Sequence, residues 1–396
     1  MKKKLTDWFD YQKLNQKKYG FIFLILIALA FVVSDWSIYY FSFAEIIFIS
    51  IMPILLFVGQ LQVKKKQLIL ILILMCIFSV SFLLNLVINK EDFYFRLATQ
   101  ASIKVAFYMF IVAIFLNYIK RNQYEELFLT INNIFAVIII LIGLYIVFSI
   151  YNDHEYPYRL LWKFTREDYK SYYFNGNSNF IRMRSIFSEP AHLGFYLNVL
   201  VTSNLVNKKF DLKRVIYLTI MCLGVFLTFS YSMIFTLFVI IFIYFTLNID
   251  YKNFRWNKYY LGAVFLFLSI SYLFKSYIYE TIIKRTLNIF NGSDGSSYNR
   301  LIESWVYVDT ESWWFGNGIN HTPVITNNFA YMLSDLGLFG LTPFLFFAIW
   351  VINRSILFGI LFILLNFSRG GYLGPSLWLF MLFILIYSPN KRKMIS

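Results

Sequence analysis

Long runs of apolar residues alternate with short polar or basic stretches along the chain. A helix that crosses the hydrocarbon core of a bilayer needs about 20 predominantly apolar residues, and by this criterion the pattern predicts about twelve spans. The predicted spans are Gly20–Ser34, Ile38–Leu61, Gln67–Ile88, Thr99–Ile119, Leu127–Ile150, Ala191–Val206, Arg214–Ser230, Ser232–Ile249, Tyr259–Phe274, Asn328–Ile352, Ser355–Ser368 and Leu373–Ser388.

Clusters of lysine and arginine precede the first predicted span and follow the even-numbered ones. The clusters contain Lys2–Lys4, Lys13, Lys17, Lys18, Lys64–Lys66, Lys120, Arg121, Lys208, Lys209, Lys213, Arg214, Lys252, Arg255, Lys258, Arg354 and Lys391–Lys393. Because cytoplasmic loops of membrane proteins are enriched in these residues, both termini are predicted to be cytoplasmic. The sequence therefore predicts an all-α, polytopic integral membrane protein with a single membrane domain over residues 1–396.

Composition agrees with this prediction. Of 396 residues, 59% are hydrophobic and only 14% are charged, whereas soluble domains carry roughly 25% charged residues. The net charge of +15 could by itself indicate a nucleic-acid partner. However, most of the excess falls in the predicted cytoplasmic segments and the external segments are close to neutral, so no nucleic-acid partner is expected. Both cysteines lie inside predicted spans, and the pattern predicts neither a metal site nor a cofactor.

Two predicted external segments, Tyr151–Glu189 and Lys275–Thr326, are far longer than the other connections. Loops beyond about 12–15 residues are usually functional or disordered, and both segments are richer in aromatic residues than disordered chains are. Two interpretations stay open for these aromatics. They could form a lid at the membrane surface, where tyrosine and tryptophan are enriched, or flat platforms for sugar rings.

Arg182, Arg184 and Arg300 lie in these two loops, on the side where the orientation rule disfavours basic residues. Each could be an interface anchor or part of an ion pair. The alternative is anion binding, since arginine presents a rigid fork of donors that matches phosphate oxygens. Fixed cations of this kind would stabilise a leaving diphosphate without a metal ion.

The segment Ser188-Glu189-Pro190 predicts the start of a helix, with Ser188 as the cap, an acid near the positive end of the dipole, and proline in the first turn. Glu189 is thus either a helix-start residue or a chemical group. His192 would lie in the first turn of the same helix, where an interfacial histidine is the simpler interpretation.

These residues form part of a series of short patches in the second half of the chain. The patches are Arg184-Ser-Ile-Phe-Ser-Glu-Pro-Ala-His192, Ser297-Tyr-Asn-Arg300, Phe315-Gly-Asn-Gly318, Asn327-Asn-Phe329 and Asp335-Leu-Gly-Leu-Phe-Gly-Leu341. In order and spacing they resemble the Wzy-type polysaccharide polymerases of the O-antigen polymerase/ligase superfamily, which are polytopic glycosyltransferases of the GT-C type. The predicted twelve spans, cytoplasmic termini and two large external loops are similar to that family too.

The resemblance implies a reaction at the outer face of the bacterial cytoplasmic membrane. Repeat units carried on undecaprenyl diphosphate would be joined into an O-antigen, capsule or exopolysaccharide. Arg182, Arg184 and Arg300 would hold the diphosphate, and membrane lipid, a chain-length regulator and a flippase would be partners. Ligases of the superfamily place a histidine in the second loop as the base, but the residue before Asn328 is Asn327 in this chain. His321 and Glu189 are therefore the two candidate bases.

Three alternatives stay open. A ligase would pass the glycan to another acceptor, such as lipid A core, and the missing histidine before Asn328 favours a polymerase over it. A flippase or transporter would need charged residues along several spans, where only Glu45, Lys104 and Asp335 occur. A non-catalytic assembly partner would tolerate loss of Arg184 or Arg300.

Overall fold

The computed structural model describes residues 20–88, 94–166, 173–174, 177–207, 211–248, 272, 275, 279–369 and 371–388, and these are mostly helical. The main helices are α1 Gly20–Val32, α2 Phe43–Phe57, α3 Lys65–Ile88, α4 Phe95–Arg121, α5 Glu125–Tyr151, α6 Tyr158–Leu161, α7 Pro190–Val206, α8 Leu212–Leu227, α9 Tyr231–Asn248, α10 Arg285–Phe290, α11 Gly295–Tyr298, α12 Asn328–Arg354, α13 Ile356–Ser368 and α14 Pro375–Tyr387. Wider π-helical turns, Tyr279–Lys284 and Asn299–Glu303, precede α10 and follow α11. The strands are β1 Ser37–Ile38, β2 Phe41–Ser42, β3 Tyr173–Phe174 and β4 Asn177–Ile181, which form the antiparallel pairs β1–β2 and β3–β4.

The apolar helices are those of a membrane-embedded protein. Five of those described, α3, α4, α5, α9 and α12, are long and apolar enough to cross a bilayer, and α1, α2, α13 and α14 are shorter apolar helices. A helix overlaps each predicted span that the structure describes. The predicted span Tyr259–Phe274 lies outside the described residues, apart from Tyr272. The number of spans and the cytoplasmic position of the termini stay predictions.

The span predicted at Asn328–Ile352 is interrupted. Helix α12 has a non-helical residue, Gly337, with φ 63° and ψ −167°. The amides that follow the break bond to the second long loop instead of to the preceding turn: the N–H of Leu338 donates to the carbonyl of Trp313 at 3.0 Å, and that of Phe339 to Trp314 at 3.1 Å. The hydrophobic pattern misses this break because both halves of α12 are apolar.

Helix α7 lies at the centre of the bundle. It packs against α5, α8, α9, α13 and α14, and nearly every residue from Leu193 to Asn204 is buried. A helix that is apolar on all sides is typical of such a core position. Its polar residues are paired across helices, since the amides of Asn204 and Asn133 exchange hydrogen bonds of 2.8 and 3.0 Å. Pairing of this kind satisfies polar groups that have no water nearby.

One end of the bundle joins segments that the sequence assigns to the cytoplasm. Arg214, in the first turn of α8, forms an ion pair with Glu126 at the start of α5, with 3.0 Å between nitrogen and oxygen. At the end of α14, the hydroxyl of Tyr387 donates to the carbonyl of Glu125 at 2.8 Å. Segments with the same predicted side therefore contact each other.

The other end joins segments that the sequence assigns to the exterior. The indole of Trp36, after α1, donates to the carbonyl of Ile186 at 2.7 Å. Nε of Arg182 donates to the carbonyl of Thr228, at the tip between α8 and α9, at 3.3 Å. The candidate functional residues lie at this end.

Candidate functional site

The second long loop folds around Asp335 in α12. Oδ2 of Asp335 accepts hydrogen bonds from the N–H of Asn320 at 2.9 Å and the hydroxyl of Tyr372 at 2.6 Å, while Oδ1 accepts from the N–H of Thr322 at 2.8 Å. A buried carboxylate needs such donors because its desolvation is costly. Asp335 therefore fixes the loop backbone against the start of α12.

Two glycines permit a very close approach in the same place. A Cβ on Gly316 would lie 2.4 Å from the carbonyl carbon of Asp335, and one on Gly337 would lie 2.4 Å from the backbone of Trp314 and Phe315. Both glycines have positive φ, at 68° and 63°, a conformation that other residues rarely adopt. Two of the sequence patches, Phe315–Gly318 and Asp335–Leu341, thus pack backbone against backbone.

Asn327 connects the helix start to Arg300. Its Oδ1 accepts from the N–H groups of Phe329 and Ala330 and so caps α12. Its Nδ2 donates to the carbonyl of Arg300 at 3.1 Å. Arg300 is therefore held against the framework that Asp335 organises.

The first long loop is organised by Arg184. This side chain is buried, and its guanidinium lies over the ring of Trp162, with 3.6 Å between the guanidinium carbon and the ring centroid. It also donates to the carbonyls of Ser188 and Arg166, each at 2.6 Å. These contacts join α6, the approach to α7 and Arg166 into one unit.

Between these two loops and the tip of α8–α9 lies a cavity of about 400 Å³, which we call the cationic cavity. Its lining includes five cationic and three acidic side chains: Arg166, Arg182, Lys284, Arg285, Arg300, Glu189, Glu280 and Asp294. Cationic groups therefore come from both long loops and meet in one space.

Three of the cations are paired with the three acids. The pairs are Arg166–Glu189 at 3.5 Å, Lys284–Glu280 at 2.9 Å and Arg285–Asp294 at 2.8 Å. Arg182 and Arg300 have no carboxylate partner within the described part of the chain. The described lining thus carries an excess of two positive charges. These charges belong to Arg182 and Arg300, two of the three arginines predicted to bind an anion.

The pKa values reflect both burial and the mutual repulsion of the arginines. Burial, followed by the nearby charge of Arg285, lowers the pKa of Arg182 to about 10. Burial and the same charge of Arg285 also hold the pKa of Arg300 below its usual range. Nε of Arg300 is buried without a hydrogen-bond partner among the described residues. Both arginines stay protonated at neutral pH, so the cavity holds crowded positive charge that an anion would stabilise.

Glu189 lies at the edge of the cationic cavity and begins α7. Its backbone is extended, with φ −145° and ψ 153°, and Pro190 follows as the first helical residue. The helix start agrees with the prediction, but the predicted cap does not. Because Pro190 is the first helical residue, the N-cap is Glu189 rather than Ser188, and the hydroxyl of Ser188 donates to Asp35.

The structure brings together three of the five predicted site residues: Arg182, Arg300 and Glu189 line the same cavity. Arg184 is not in this lining and instead makes the contacts described above. His321 lies elsewhere, exposed in the second loop, with its ring centroid 6.4 Å from that of Tyr94.

Besides Arg166, two more arginines at this end of the bundle were not predicted as site residues. Arg285 lines the cavity, and its guanidinium carbon lies 5.6 Å from the ring centroid of Tyr231. Arg369 follows α13 and lies over Phe195, 5.2 Å from the ring centroid. Both lie in predicted external segments, where basic residues are disfavoured, so the criterion that singled out Arg182, Arg184 and Arg300 applies to them as well. What the sequence could not show was which external arginines converge.

No protein-family model matches the chain, and no curated protein sequence matches it. Family membership therefore stays a prediction, and function has to be argued from the cationic cavity.

Proposed function

We propose that this chain is a membrane glycosyltransferase that polymerises oligosaccharide repeat units of a bacterial surface polysaccharide. The donor is a glycan on undecaprenyl diphosphate, and the reaction takes place at the outer face of the cytoplasmic membrane. The observation that carries the proposal is the cationic cavity, in which Arg182 and Arg300 lack a carboxylate partner among the described residues.

The charge of the cavity suits a diphosphate diester. Each phosphoryl group of such a diester carries one negative charge, and the described lining has an excess of two positive charges. Arginine matches phosphate oxygens with paired donors, and the unpartnered Nε of Arg300 is a donor of this kind. A cavity of about 400 Å³ has room for a diphosphate together with part of a sugar.

The reaction requires these positive charges when the bond to the diphosphate breaks. When a hydroxyl of the acceptor glycan attacks the anomeric carbon, the bond between that carbon and the diphosphate oxygen breaks. The electron pair stays on the diphosphate, where negative charge increases. Arg182, Arg285 and Arg300 are already fixed around that position, so they stabilise the transition state without reorganisation.

The contacts of Arg184 favour a different role from the predicted one. Both terminal nitrogens of its guanidinium donate to carbonyls, those of Ser188 and Arg166, and it is absent from the lining of the cationic cavity. We assign it to holding Arg166 and the start of α7 in place. Diphosphate binding then belongs to Arg182 and Arg300, with Arg285 as the third cation.

The test is polymerisation in liposomes. Purified protein is incubated with an undecaprenyl-diphosphate repeat unit, and products are separated as a ladder. Removing one donor that stabilises a developing anion typically lowers turnover about 100- to 1,000-fold, so Arg182→Gln and Arg300→Gln should each do so. Arg96→Gln, in the exposed first turn of α4, is the matched control and should keep the wild-type rate.

Two results would contradict the polymerase. Movement of the repeat unit across the bilayer without any ladder would indicate a flippase. Transfer of a single unit or chain to a lipid A core acceptor, again without a ladder, would indicate a ligase.

A further inference from the structure

A second polar cluster lies beside the cationic cavity and joins the α1–α2 connection to the start of α7. Oδ2 of Asp35 accepts from both the N–H and the hydroxyl of Ser188 at 2.7 Å, and it lies 2.8 Å from Nδ1 of His192. Only 8% of the Asp35 side chain is exposed. Three polar contacts from two elements therefore converge on one carboxylate oxygen.

These contacts define the tautomer of His192. Burial by itself raises the pKa of Asp35, but hydrogen bonds from His192 and Ser188 outweigh burial and hold this pKa below its usual range. Asp35 is therefore ionised at neutral pH and can only accept, which places a proton on Nδ1 of His192. Nε2 is then left with its lone pair.

The second nitrogen of His192 is accessible. Nε2 makes no hydrogen bond with any described residue, and 20% of the side chain is exposed. A histidine buried for packing alone would have both ring nitrogens satisfied or enclosed. This arrangement, with one nitrogen fixed by a carboxylate and the other open, is that of a general base.

Residues of the pair, or directly next to it, line two hollows. Glu189, Pro190 and Ala191, which directly precede His192, line the cationic cavity. Asp35 lines a smaller pocket of about 230 Å³. The smaller pocket also has aromatic and charged residues, including Trp36, Tyr39, Tyr40, Glu45 and Lys104.

The smaller pocket suits a glycan. Tyr39 and Tyr40, at the turn between β1 and β2, are exposed to 95% and 81%, and flat rings of this kind pack against the C–H faces of sugars. Glu45 and Lys104, also in its lining, form an ion pair of 3.1 Å, where hydroxyl groups find both acceptor and donor. An acceptor placed there lies beside Asp35, which lines the same pocket.

We propose that His192, positioned by Asp35, is the general base of this site and takes the proton of the attacking glycan hydroxyl. This inference rests on the proposed function and names a base other than His321 or Glu189. In the step, the hydroxyl oxygen forms a bond to the anomeric carbon and its proton passes to Nε2 of His192. The electron pair of the broken bond leaves on the diphosphate held by the arginines, and Asp35 balances the charge of the imidazolium.

The charged groups that act on His192 come from three segments. Asp35 and Glu189 favour the protonated ring, while Arg369, after α13, opposes it. Arg369 also acts on Asp35 and Glu189. The fall in rate at low pH (the acid limb of the pH–rate profile) therefore depends on all of these charged residues. Removal of the imidazole should abolish that limb.

The experiment measures initial rates of ladder formation in liposomes from pH 5 to 9, using an undecaprenyl-diphosphate oligosaccharide. His192→Gln should lower kcat about 100-fold or more, since a general base typically contributes that much, and the remaining rate should lose its acid limb. Asp35→Asn should also lower kcat, because an amide no longer fixes the tautomer. His321→Gln and His154→Gln, at exposed positions, are the matched controls and should stay within about twofold of the wild type.

Binding of the radiolabelled donor to each variant separates loss of the base from loss of the fold. His192→Gln should bind donor as the wild type does, because the arginines are untouched. A fully active His192→Gln with an unchanged pH profile overturns the assignment of the base and leaves the polymerase intact. Loss of rate in His321→Gln with normal donor binding also overturns it. An inactive wild type overturns the proposed function and the base together.

Discussion

Replacement of Gly316 by alanine tests how the second loop is attached to α12. The added Cβ would lie 2.4 to 2.5 Å from three backbone atoms of Asp335 and Gly337, about 1 Å inside ordinary contact. Gly292 is a matched control, since its φ of 69° equals the 68° of Gly316 within a degree, yet no atom lies within 4 Å of its added Cβ. Both substitutions carry the cost of positive φ, about 1–2 kcal/mol, but only Gly316→Ala also carries an overlap.

The overlap adds about 2–3 kcal/mol, the upper part of the range for overpacking, because backbone atoms cannot rotate away. This cost destabilises the attachment of the segment whose amides bond to α12. In that segment, the N–H of Asn317 donates to the carbonyl of Ser334. At about 1.4 kcal/mol per factor of ten, hydrogen exchange of these amides should be roughly 30- to 150-fold faster in Gly316→Ala than in Gly292→Ala. The assay is hydrogen–deuterium exchange with mass spectrometry in detergent micelles. Equal exchange in the two variants would show that the loop does not approach the helix so closely.

Three further predictions concern residues that hold the site or the core. Arg184→Lys should lower the rate of polymerisation about tenfold and reduce thermal stability in detergent. The reason is that one ammonium group cannot stack on Trp162 and reach two carbonyls as the guanidinium does. A normal rate and melting temperature would contradict this. Asp335→Asn should destabilise the protein by about 2–3 kcal/mol, since two N–H groups and a hydroxyl lose a charged acceptor. Thermal unfolding in detergent would measure this loss of stability. Asn204→Leu should cost about 1 kcal/mol by leaving the amide of Asn133 without its partner, and an unchanged melting temperature would argue against that pairing.

The helices could be predicted from the sequence because the apolar runs that form them are long. A run such as Glu125–Tyr151 has no other stable conformation where water is absent, since only a helix satisfies its backbone groups internally. The break at Gly337 could not be predicted in this way. It depends on amides of α12 bonding to a loop more than 20 residues earlier in the chain, and hydrophobicity does not record such a contact.

The site was predictable in part for a similar reason. Arg182 and Arg300 stand out because basic residues are disfavoured on the predicted external side, and the structure places both in one cavity. Arg184 satisfies the same criterion, but its neighbour Trp162 determines its position instead. The pairing of Asp35 with His192 joins the α1–α2 connection to α7, and no local pattern connects two positions so far apart.

The distribution of acids decides where the positive charge of the cavity remains available. Asp294 accepts from the N–H of Ser297 at the start of α11 and also pairs with Arg285. Its carboxylate is therefore engaged by the helix that it caps and by a nearby arginine. Glu280 and Lys284 are four residues apart in one helical turn and pair within it. Each acid is thus bound to a neighbour in its own segment or to an exposed arginine, and among the described residues none forms an ion pair with Arg182 or Arg300. The two arginines keep their charge because the acids around them are fixed by local structure, so an external face that is nearly neutral as a whole still presents a site for an anion.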